Sequence, residues 1–123
     1  SKRERWQRIA LNAAKQCGAA WLPEIGPVQE LEACLVALPG PVTSLVCSLE
    51  PDAHPLRETL QAVRAGQPQS LAVLVGPEGD FSARERAVAR NAGARPVSLG
   101  SRVLRSETAA IYILSVLTYE FGL

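Results

Sequence analysis

The sequence predicts an α/β domain of three layers built on a mostly parallel β-sheet. Short apolar segments bounded by proline or glycine alternate with longer segments whose apolar residues recur at helical spacing. Short, β-branched apolar segments are typical of strands that are buried on both faces, as in parallel sheets. The alternation of strands and helices then favours a sheet with helices packed on both of its faces.

Three strands are predicted, at residues 42–47, 71–75 and 96–99, and residues 20–22 form a weaker fourth candidate. The first two are rich in Val and Leu, and the third is shorter. Runs of this length suit strands better than helices, which need more residues to form stable turns.

Five helices are predicted around these strands: residues 3–17, 28–38, 55–65, 82–92 and 106–121. The apolar stripe of the first includes Trp6, which we expect to anchor this helix in the core, and Gly18 is placed as its C-terminal stop. Ser82 and Glu85 form a capping-box pattern at the start of the fourth helix. Ser106 is expected to cap the last helix, which is the most apolar of the five.

The length of 123 residues suits one compact domain, and we expect a single domain over residues 1–123. No apolar run approaches the roughly 20 residues that span a bilayer, so no membrane partner is expected. The chain contains no methionine, and we expect it to be a part of a longer protein or a trimmed product.

The cysteines are odd in number and lack the spacing of a metal or redox motif, which indicates a reducing, cytoplasmic compartment. We expect Cys17, Cys34 and Cys47 to be small buried hydrophobic residues. His54 is the only histidine and no Cys-x-x-Cys occurs, so no metal site is expected.

The net charge is only +1, yet the charges are unevenly distributed along the chain. Basic residues dominate residues 1–16 and 64–105, whereas acidic residues dominate residues 24–58. Two basic stretches are compatible with a face that binds nucleic-acid phosphates. On charge alone, ordinary solvated helix faces are the favoured interpretation.

Two segments that follow predicted strands carry the chemical interest, because ligands of parallel sheets bind beyond the carboxyl ends of the strands. Residues 75–82, Val-Gly-Pro-Glu-Gly-Asp-Phe-Ser, combine glycines that let backbone approach a ligand with a stiffening proline. The pattern is neither a dinucleotide-binding Gly-x-Gly-x-x-Gly nor a P-loop. By itself, such a segment is more often a simple turn.

Residues 99–105, Leu-Gly-Ser-Arg-Val-Leu-Arg, follow the third strand and lead into the last helix. Val103 and Leu104 are unusual in a loop. Apolar residues there either fill the core or form the wall of a pocket for a flat apolar group such as adenine.

Three blocks of this sequence, in order and spacing, resemble the RsmE family of ribosomal RNA uridine N3-methyltransferases. They are Arg-Glu-Arg-Trp with Ala-Ala-Lys-Gln-Cys-Gly within residues 3–18, Leu-Val-Gly-Pro-Glu-Gly at residues 74–79, and Ser-Leu-Gly-Ser-Arg-Val-Leu-Arg-Ser-Glu-Thr-Ala at residues 98–109. The resemblance implies a SPOUT fold with a C-terminal trefoil knot and S-adenosylmethionine as cofactor.

The same resemblance implies a homodimer whose substrate is a uridine of 16S ribosomal RNA in the small ribosomal subunit. It also implies an N-terminal PUA-like RNA-binding domain outside this chain, so that the chain is the catalytic half. The alternatives are a SPOUT methyltransferase that acts on another RNA, and a non-catalytic domain that binds RNA or forms dimers.

The resemblance further implies the residues of the site. Arg105 is the expected stabiliser of the negative charge that develops on uracil. Glu78 or Glu107 is expected to accept the N3 proton, although for Glu107 stabilisation of the helix start is the favoured alternative. Cofactor contacts are implied at Leu74, Gly76, Glu78, Gly79, Leu99, Gly100, Val103, Leu104 and Arg105. RNA contacts are implied at Arg3, Arg5, Arg8, Gln16 and Arg102.

Two positions depart from the family pattern. Asp80 stands where a second glycine is usual, and we expect its side chain to face solvent or to cap the helix that begins near Ser82. Ala19 stands where arginine is common, which weakens the case for RNA binding at this turn.

Overall fold

The computed structural model describes the whole chain, Ser1 to Leu123, as two compact units, Ser1–Glu30 and Leu31–Leu123. The first unit contains one helix, and the second contains the sheet and the remaining helices. No helix combines the length and the apolar character that crossing a bilayer requires.

The first unit is built on α1 (Lys2–Cys17), which begins with a capping box between Ser1 and Glu4. It ends at Gly18, whose φ of 68° is the left-handed conformation that favours glycine. Two expectations are wrong here. Residues 20–22 form no strand, because no neighbouring strand pairs with them. Trp6 is 42% exposed and no residue of α1 is buried, so Trp6 is not a core anchor in this structure.

The second unit is an α/β fold whose four strands are all parallel, in the spatial order β2-β4-β1-β3. The predicted parallel sheet is therefore confirmed, with shorter elements than the sequence suggested. The elements of this unit are α2 (Leu31–Ala37), β1 (Thr43–Cys47), β2 (His54–Pro55), α3 (Leu56–Ala65), β3 (Leu71–Leu74), α4 (Ala83–Asn91), β4 (Arg95–Ser98) and α5 (Ser106–Phe121).

Successive residues of a strand point to opposite faces of the sheet. Because apolar residues occur on both faces here, helices cover both of them. On one face, Leu45 of β1 packs in a cluster that includes Leu60 of α3 and Ile113 of α5. On the other face, Val46 packs with Ala89 of α4. The central strand β1 thus contributes consecutive residues to two cores, which is why its run is apolar without strict alternation.

The edge strand β2 was not predicted from the sequence. It contains only His54 and Pro55, both exposed, and pairs with β4 through Val97 and Ser98. A two-residue strand that includes proline carries no periodic signal, and an edge position is where proline is tolerated.

The strand order imposes an unusual path on the chain. Strands β1 and β2 are consecutive in sequence, but β4 lies between them. Residues 48–53, here called the bridging segment, therefore pass from one side of β4 to the other. The backbone N–H of Ser48 donates to the carbonyl of Val97 at 3.0 Å, so this crossing lies at the carboxyl end of β4.

Replacing Leu60 by alanine is expected to lower the free energy of unfolding by about 2–5 kcal/mol, because the side chain is only 4% exposed and its removal leaves a cavity. Gln61→Ala is the matched control on the same helix, with an expected change of under about 0.5 kcal/mol since Gln61 is exposed. Urea unfolding of both variants measures the difference. A Leu60→Ala protein as stable as Gln61→Ala would contradict this core assignment.

Candidate functional site

A cavity of about 400 Å³ lies at the carboxyl ends of β1, β3 and β4. Three chain segments meet there. They are the start of the bridging segment, the glycine loop (residues 75–82) and the arginine loop (residues 99–105), which continues into α5. The lining residues are Cys47, Ser48, Leu49, Val75, Gly76, Pro77, Glu78, Gly79, Asp80, Leu99, Gly100, Arg102, Val103, Leu104, Arg105, Ser106 and Ala109.

The glycine loop is a tight turn in which glycine is favoured at two positions for different physical reasons. The N–H of Asp80 donates to the carbonyl of Pro77 at 2.9 Å, and Gly79 inside this turn has a φ of 84°, which favours glycine. At Gly76 the constraint is space, because a Cβ atom would lie 3.1 Å from the ring of Phe81 and 3.2 Å from Asp80 Oδ1. The loop therefore folds back closely on itself.

The glycine loop ends in the predicted capping box at the start of α4. Ser82 Oγ accepts from the N–H of Glu85 at 3.1 Å, and Glu85 Oε1 accepts from the N–H of Ser82 at 2.8 Å. The backbone N–H of Ser82, and to a lesser extent its side chain, holds the pKa of the Glu85 carboxyl below its usual value. The capping box fixes the direction in which the loop leaves the cavity.

The expectation that Asp80 faces solvent or caps α4 is wrong. Ser82 occupies the cap, and the Asp80 carboxylate is turned inward. Its Oδ1 accepts from the N–H of Phe81 at 2.8 Å, and its Oδ2 accepts from the N–H of Leu49 at 3.4 Å. Asp80 thus connects the glycine loop to the bridging segment.

Ser106 also differs from its predicted role as helix cap. Arg105 occupies the N-cap position of α5 without a side-chain capping bond. The half-buried Ser106 hydroxyl instead donates to the carbonyl of Gly76 at 2.7 Å. This hydrogen bond joins the start of α5 to the glycine loop, 30 residues earlier in the chain.

Charges of both signs surround the cavity. Arg102 and Arg105 are exposed and form no ion pair, whereas the arginines of α4 each pair with a carboxylate. The N-terminus of α5 adds partial positive charge on the same side. Glu78 contributes an exposed carboxylate from the glycine loop. The arrangement suits a ligand that carries both anionic and cationic groups.

Cys47 lies at the end of β1 and lines the cavity. Burial, and to a lesser extent the nearby Asp80 carboxylate, raises the pKa of its thiol to about 11. The thiol is therefore protonated at neutral pH and unsuited to act as a nucleophile. Of the other cysteines, Cys17 is exposed and so departs from the expectation of burial, and Cys34 is half-buried.

The structure gathers most of the residues expected to contact a cofactor. Gly76, Glu78, Gly79, Leu99, Gly100, Val103, Leu104 and Arg105 all line the cavity. Leu74 does not, since its side chain packs against the cluster of Val46, Ala89 and Ala94. Glu107 lies in the first turn of α5 outside the cavity lining.

The residues expected to contact RNA lie in both units. Arg3, Arg5, Arg8 and Gln16 are exposed on α1 in the first unit. The Arg3 Nε donates to the carbonyl of Ile25 at 2.9 Å within that unit. Arg102 is exposed in the arginine loop of the second unit and lines the cavity.

Sequence reasoning missed the contribution of the bridging segment. Ser48 and Leu49 line the cavity, although they belong to no recognisable motif. A signal existed for Leu49, since it is an apolar residue two positions after a predicted strand, at the end where ligands bind. That residues 48–49 lie beside residues 75–82 and 99–105 depends on the strand order, which local sequence patterns do not predict.

The chain matches the family model described as an RNA methyltransferase domain, over residues 1–118. It is similar to ribosomal RNA small subunit methyltransferase E of Synechocystis, at 34% identity over 94% of this chain and 38% of that protein. The Bacillus subtilis protein of the same name is 30% identical over 97% of this chain and 47% of that protein. The chain thus spans less than half the length of these curated relatives.

Solved structures show the same fold. A Legionella pneumophila protein described as a methyltransferase in complex with the cofactor SAM superposes with a TM-score of 0.82 at 34% identity, covering 96% of this chain and 46% of that one. Ribosomal RNA small subunit methyltransferase E of Neisseria gonorrhoeae, bound to S-adenosyl methionine, gives a TM-score of 0.83 at 29% identity, with 96% and 47% covered.

Replacing Ser106 by alanine is expected to lower the free energy of unfolding by about 1–3 kcal/mol, because the Gly76 carbonyl loses its donor in a half-buried position. Ser115→Ala is the control. Its hydroxyl also donates at 2.7 Å from α5, but to the carbonyl of Ile111 on the exposed side of the same helix. Denaturant unfolding compares the two variants, and equal losses would show that Ser106 does not connect the loops.

Proposed function

The chain belongs to the RNA methyltransferase domain family, and we propose that it is the catalytic half of an S-adenosylmethionine-dependent methyltransferase of small-subunit ribosomal RNA. The matches to ribosomal RNA small subunit methyltransferase E proteins confirm the resemblance to the RsmE family that the sequence motifs indicated. The single observation that carries the proposal is the cavity formed jointly by the glycine and arginine loops.

The residues present suit the cofactor. A volume of about 400 Å³ lies within the range of small-molecule sites. Leu99, Val103 and Leu104 supply apolar surface for an adenine ring, and the glycines leave backbone groups accessible. Proposed contacts are Gly76, Glu78, Gly79, Leu99, Gly100, Val103, Leu104 and Arg105 from the lining, with Leu74 supporting the loop from the end of β3.

When bound, S-adenosylmethionine supplies an electrophilic methyl group. The uracil N3 must lose its proton before it accepts the methyl group. We propose that residues of this chain accept that proton and stabilise the resulting negative charge. The unpaired guanidinium of Arg105 is available to stabilise the negative charge that develops. The exposed Glu78 carboxylate is the proposed proton acceptor. Glu107 lies outside the cavity, where its carboxylate favours the positive end of the α5 dipole.

RNA contacts are proposed for Arg102 and for exposed polar residues of α1 that form no ion pair. Arg102 lines the mouth of the cavity, where it is available to a phosphate of the target RNA. Arg3, Arg5, Arg8 and Gln16 give α1 an exposed polar surface of the kind that binds phosphates. We propose that a PUA-like domain in the full-length protein supplies further RNA contacts, and that the protein acts in the cytoplasm.

The strand order supports a trefoil knot of the SPOUT type. The bridging segment crosses the carboxyl end of β4, and the arginine loop leaves β4 at that same end. We infer that the arginine loop and α5 pass through the loop that the bridging segment closes. This path would place residues 48–49 beside residues 99–106, as the shared cavity requires.

A homodimer is proposed because α5 exposes an apolar face. Ile111, Leu114 and Tyr119 are 67%, 59% and 87% exposed, whereas Ile113 of the same helix is buried. Several exposed large apolar side chains on one helix are typical of an interaction site. Burying them in a second copy would leave Ile113 in the core of each subunit.

The dimer is expected to separate when a charge is placed on this face. Ile111→Glu should sediment as a monomer at concentrations where the unmodified chain sediments as a dimer, because the carboxylate would be buried unpaired. Val36→Glu is the control, since Val36 is equally apolar and 87% exposed but lies on α2. A monomeric unmodified chain, or a dimeric Ile111→Glu variant, would contradict the proposed interface.

The methyltransferase proposal predicts that calorimetry detects S-adenosylmethionine binding to the folded chain. In the full-length protein, Arg105→Ala should reduce methyl transfer by about 10²–10³-fold while leaving the fold intact, as for other donors that stabilise an anion. Arg57→Ala, an exposed arginine on α3, is the control. Absence of binding would favour a non-catalytic domain.

The target is tested in ribosomal RNA from cells that lack the full-length protein. Loss of 3-methyluridine, measured by mass spectrometry of nucleosides, is the expected result. Normal 3-methyluridine with intact cofactor binding would instead indicate a methyltransferase of another RNA.

A further inference from the structure

Asp80 has a backbone conformation that needs an explanation. Its φ of 70° lies in the left-handed region, where residues other than glycine are uncommon. Glycine would occupy the position with less strain, yet the chain has an aspartate. Asparagine and aspartate tolerate this region best because their side chains hydrogen-bond to nearby backbone. The contacts of the Asp80 carboxylate therefore indicate what the residue does.

The Asp80 carboxylate connects two segments that are far apart in sequence. One oxygen accepts from the N–H of Phe81 at 2.8 Å, and the other accepts from the N–H of Leu49 at 3.4 Å. Beside it, Arg86 donates to the carbonyl of Phe81 and forms an ion pair with Glu50 at 3.4 Å. The glycine loop and the bridging segment are thus joined by two side chains, of which only Asp80 lines the cavity.

The hydrogen bond between Asp80 and the bridging segment is made at Leu49. Leu49 lines the cavity from the bridging segment, on the part of the wall that neither the glycine loop nor the arginine loop supplies. Its side chain is 59% exposed, so packing does not fix its position. The N–H of Leu49 donates to the Asp80 carboxylate at 3.4 Å, and both residues line the cavity.

We propose that Asp80 is a positioning residue for the cofactor: its carboxylate holds Leu49 in the cavity wall, so that an apolar surface is in place before the ligand binds. A wall that is already ordered raises affinity, since binding does not have to order it. The inference rests on the proposed function for the identity of the ligand. It extends that function by giving the bridging segment a part in cofactor affinity.

Calorimetry with S-adenosylmethionine tests the proposal on two variants. Asp80→Ala removes the carboxylate and keeps the strained backbone, whereas Asp80→Gly removes the carboxylate and relieves the strain. Both are expected to bind roughly tenfold more weakly, the scale of one lost hydrogen bond to a charged group. Asp80→Gly should also unfold at a higher denaturant concentration than Asp80→Ala.

Asp52→Ala is the matched control. Asp52 lies on the same bridging segment and pairs with Arg90 on the exposed side, away from the cavity lining. Its loss is expected to leave cofactor affinity unchanged. Equal weakening in Asp52→Ala and Asp80→Ala would overturn the proposal in favour of a general loosening of the segment. Wild-type affinity in Asp80→Gly would also overturn it, because only the backbone would then matter.

Cys47 provides a second readout that needs no cofactor. The Asp80 carboxylate is one cause of the raised pKa of the Cys47 thiol, after burial. In a Cys17→Ser, Cys34→Ser background, Asp80→Ala should therefore move the pH dependence of the reaction of Cys47 with a thiol reagent to lower pH. An unchanged profile would overturn the inward placement of the Asp80 carboxylate, and with it the proposal.

The outcomes separate this proposal from the proposed function. If the unmodified chain binds S-adenosylmethionine and both Asp80 variants bind it equally well, the positioning role is wrong and the function stands. If the unmodified chain binds none, the function itself is at fault and the positioning role falls with it. Weaker binding by both variants, with the shifted Cys47 profile, supports the role.

Discussion

The crossing of the bridging segment over β4 is the constraint on which the rest of this site depends. The bridging segment leaves β1 beside Val97 and enters β2 opposite the same residue, so it crosses at the carboxyl end of β4. The N–H of Ser48, bonded to the carbonyl of Val97, holds this crossing against the sheet. Because the arginine loop starts at the same end, the order and register of the strands bring the bridging segment and the arginine loop together.

Hydrogen bonds between side chains and backbone then keep these irregular segments in place. The glycine loop receives one bond from the Ser106 hydroxyl, through the carbonyl of Gly76, and its Asp80 carboxylate receives another from Leu49. Each bond joins residues about thirty positions apart. Loops of this kind lack the repeating bonds of helices and strands, so a few such bonds decide whether the cavity has one shape or many.

The sequence predicted the helices, the buried strands and the two loops because each has a local pattern. Val42 to Cys47, for example, reads as a strand from its apolar residues alone, and Ser82 with Glu85 reads as a helix start. The family resemblance added the expected cofactor and the residues proposed to contact it. The roles of Asp80 and Ser106 were mispredicted for the same reason: both hydrogen-bond to residues about thirty positions away, and no local rule of capping or exposure contains that information.

The segments that line the cavity supply different kinds of residue. Apolar wall residues come from all three segments and glycines from two of them, so their placement depends on the fold as a whole. The unpaired arginines come from the arginine loop alone, next to the N-terminus of α5. The apolar walls suit a largely neutral ring system, whereas the arginines beside them suit anionic groups. If the proposed function holds, substitutions in the walls should act through cofactor affinity and substitution of Arg102 through the RNA. Substitution of Arg105 should affect both cofactor affinity and the charge that develops on the RNA.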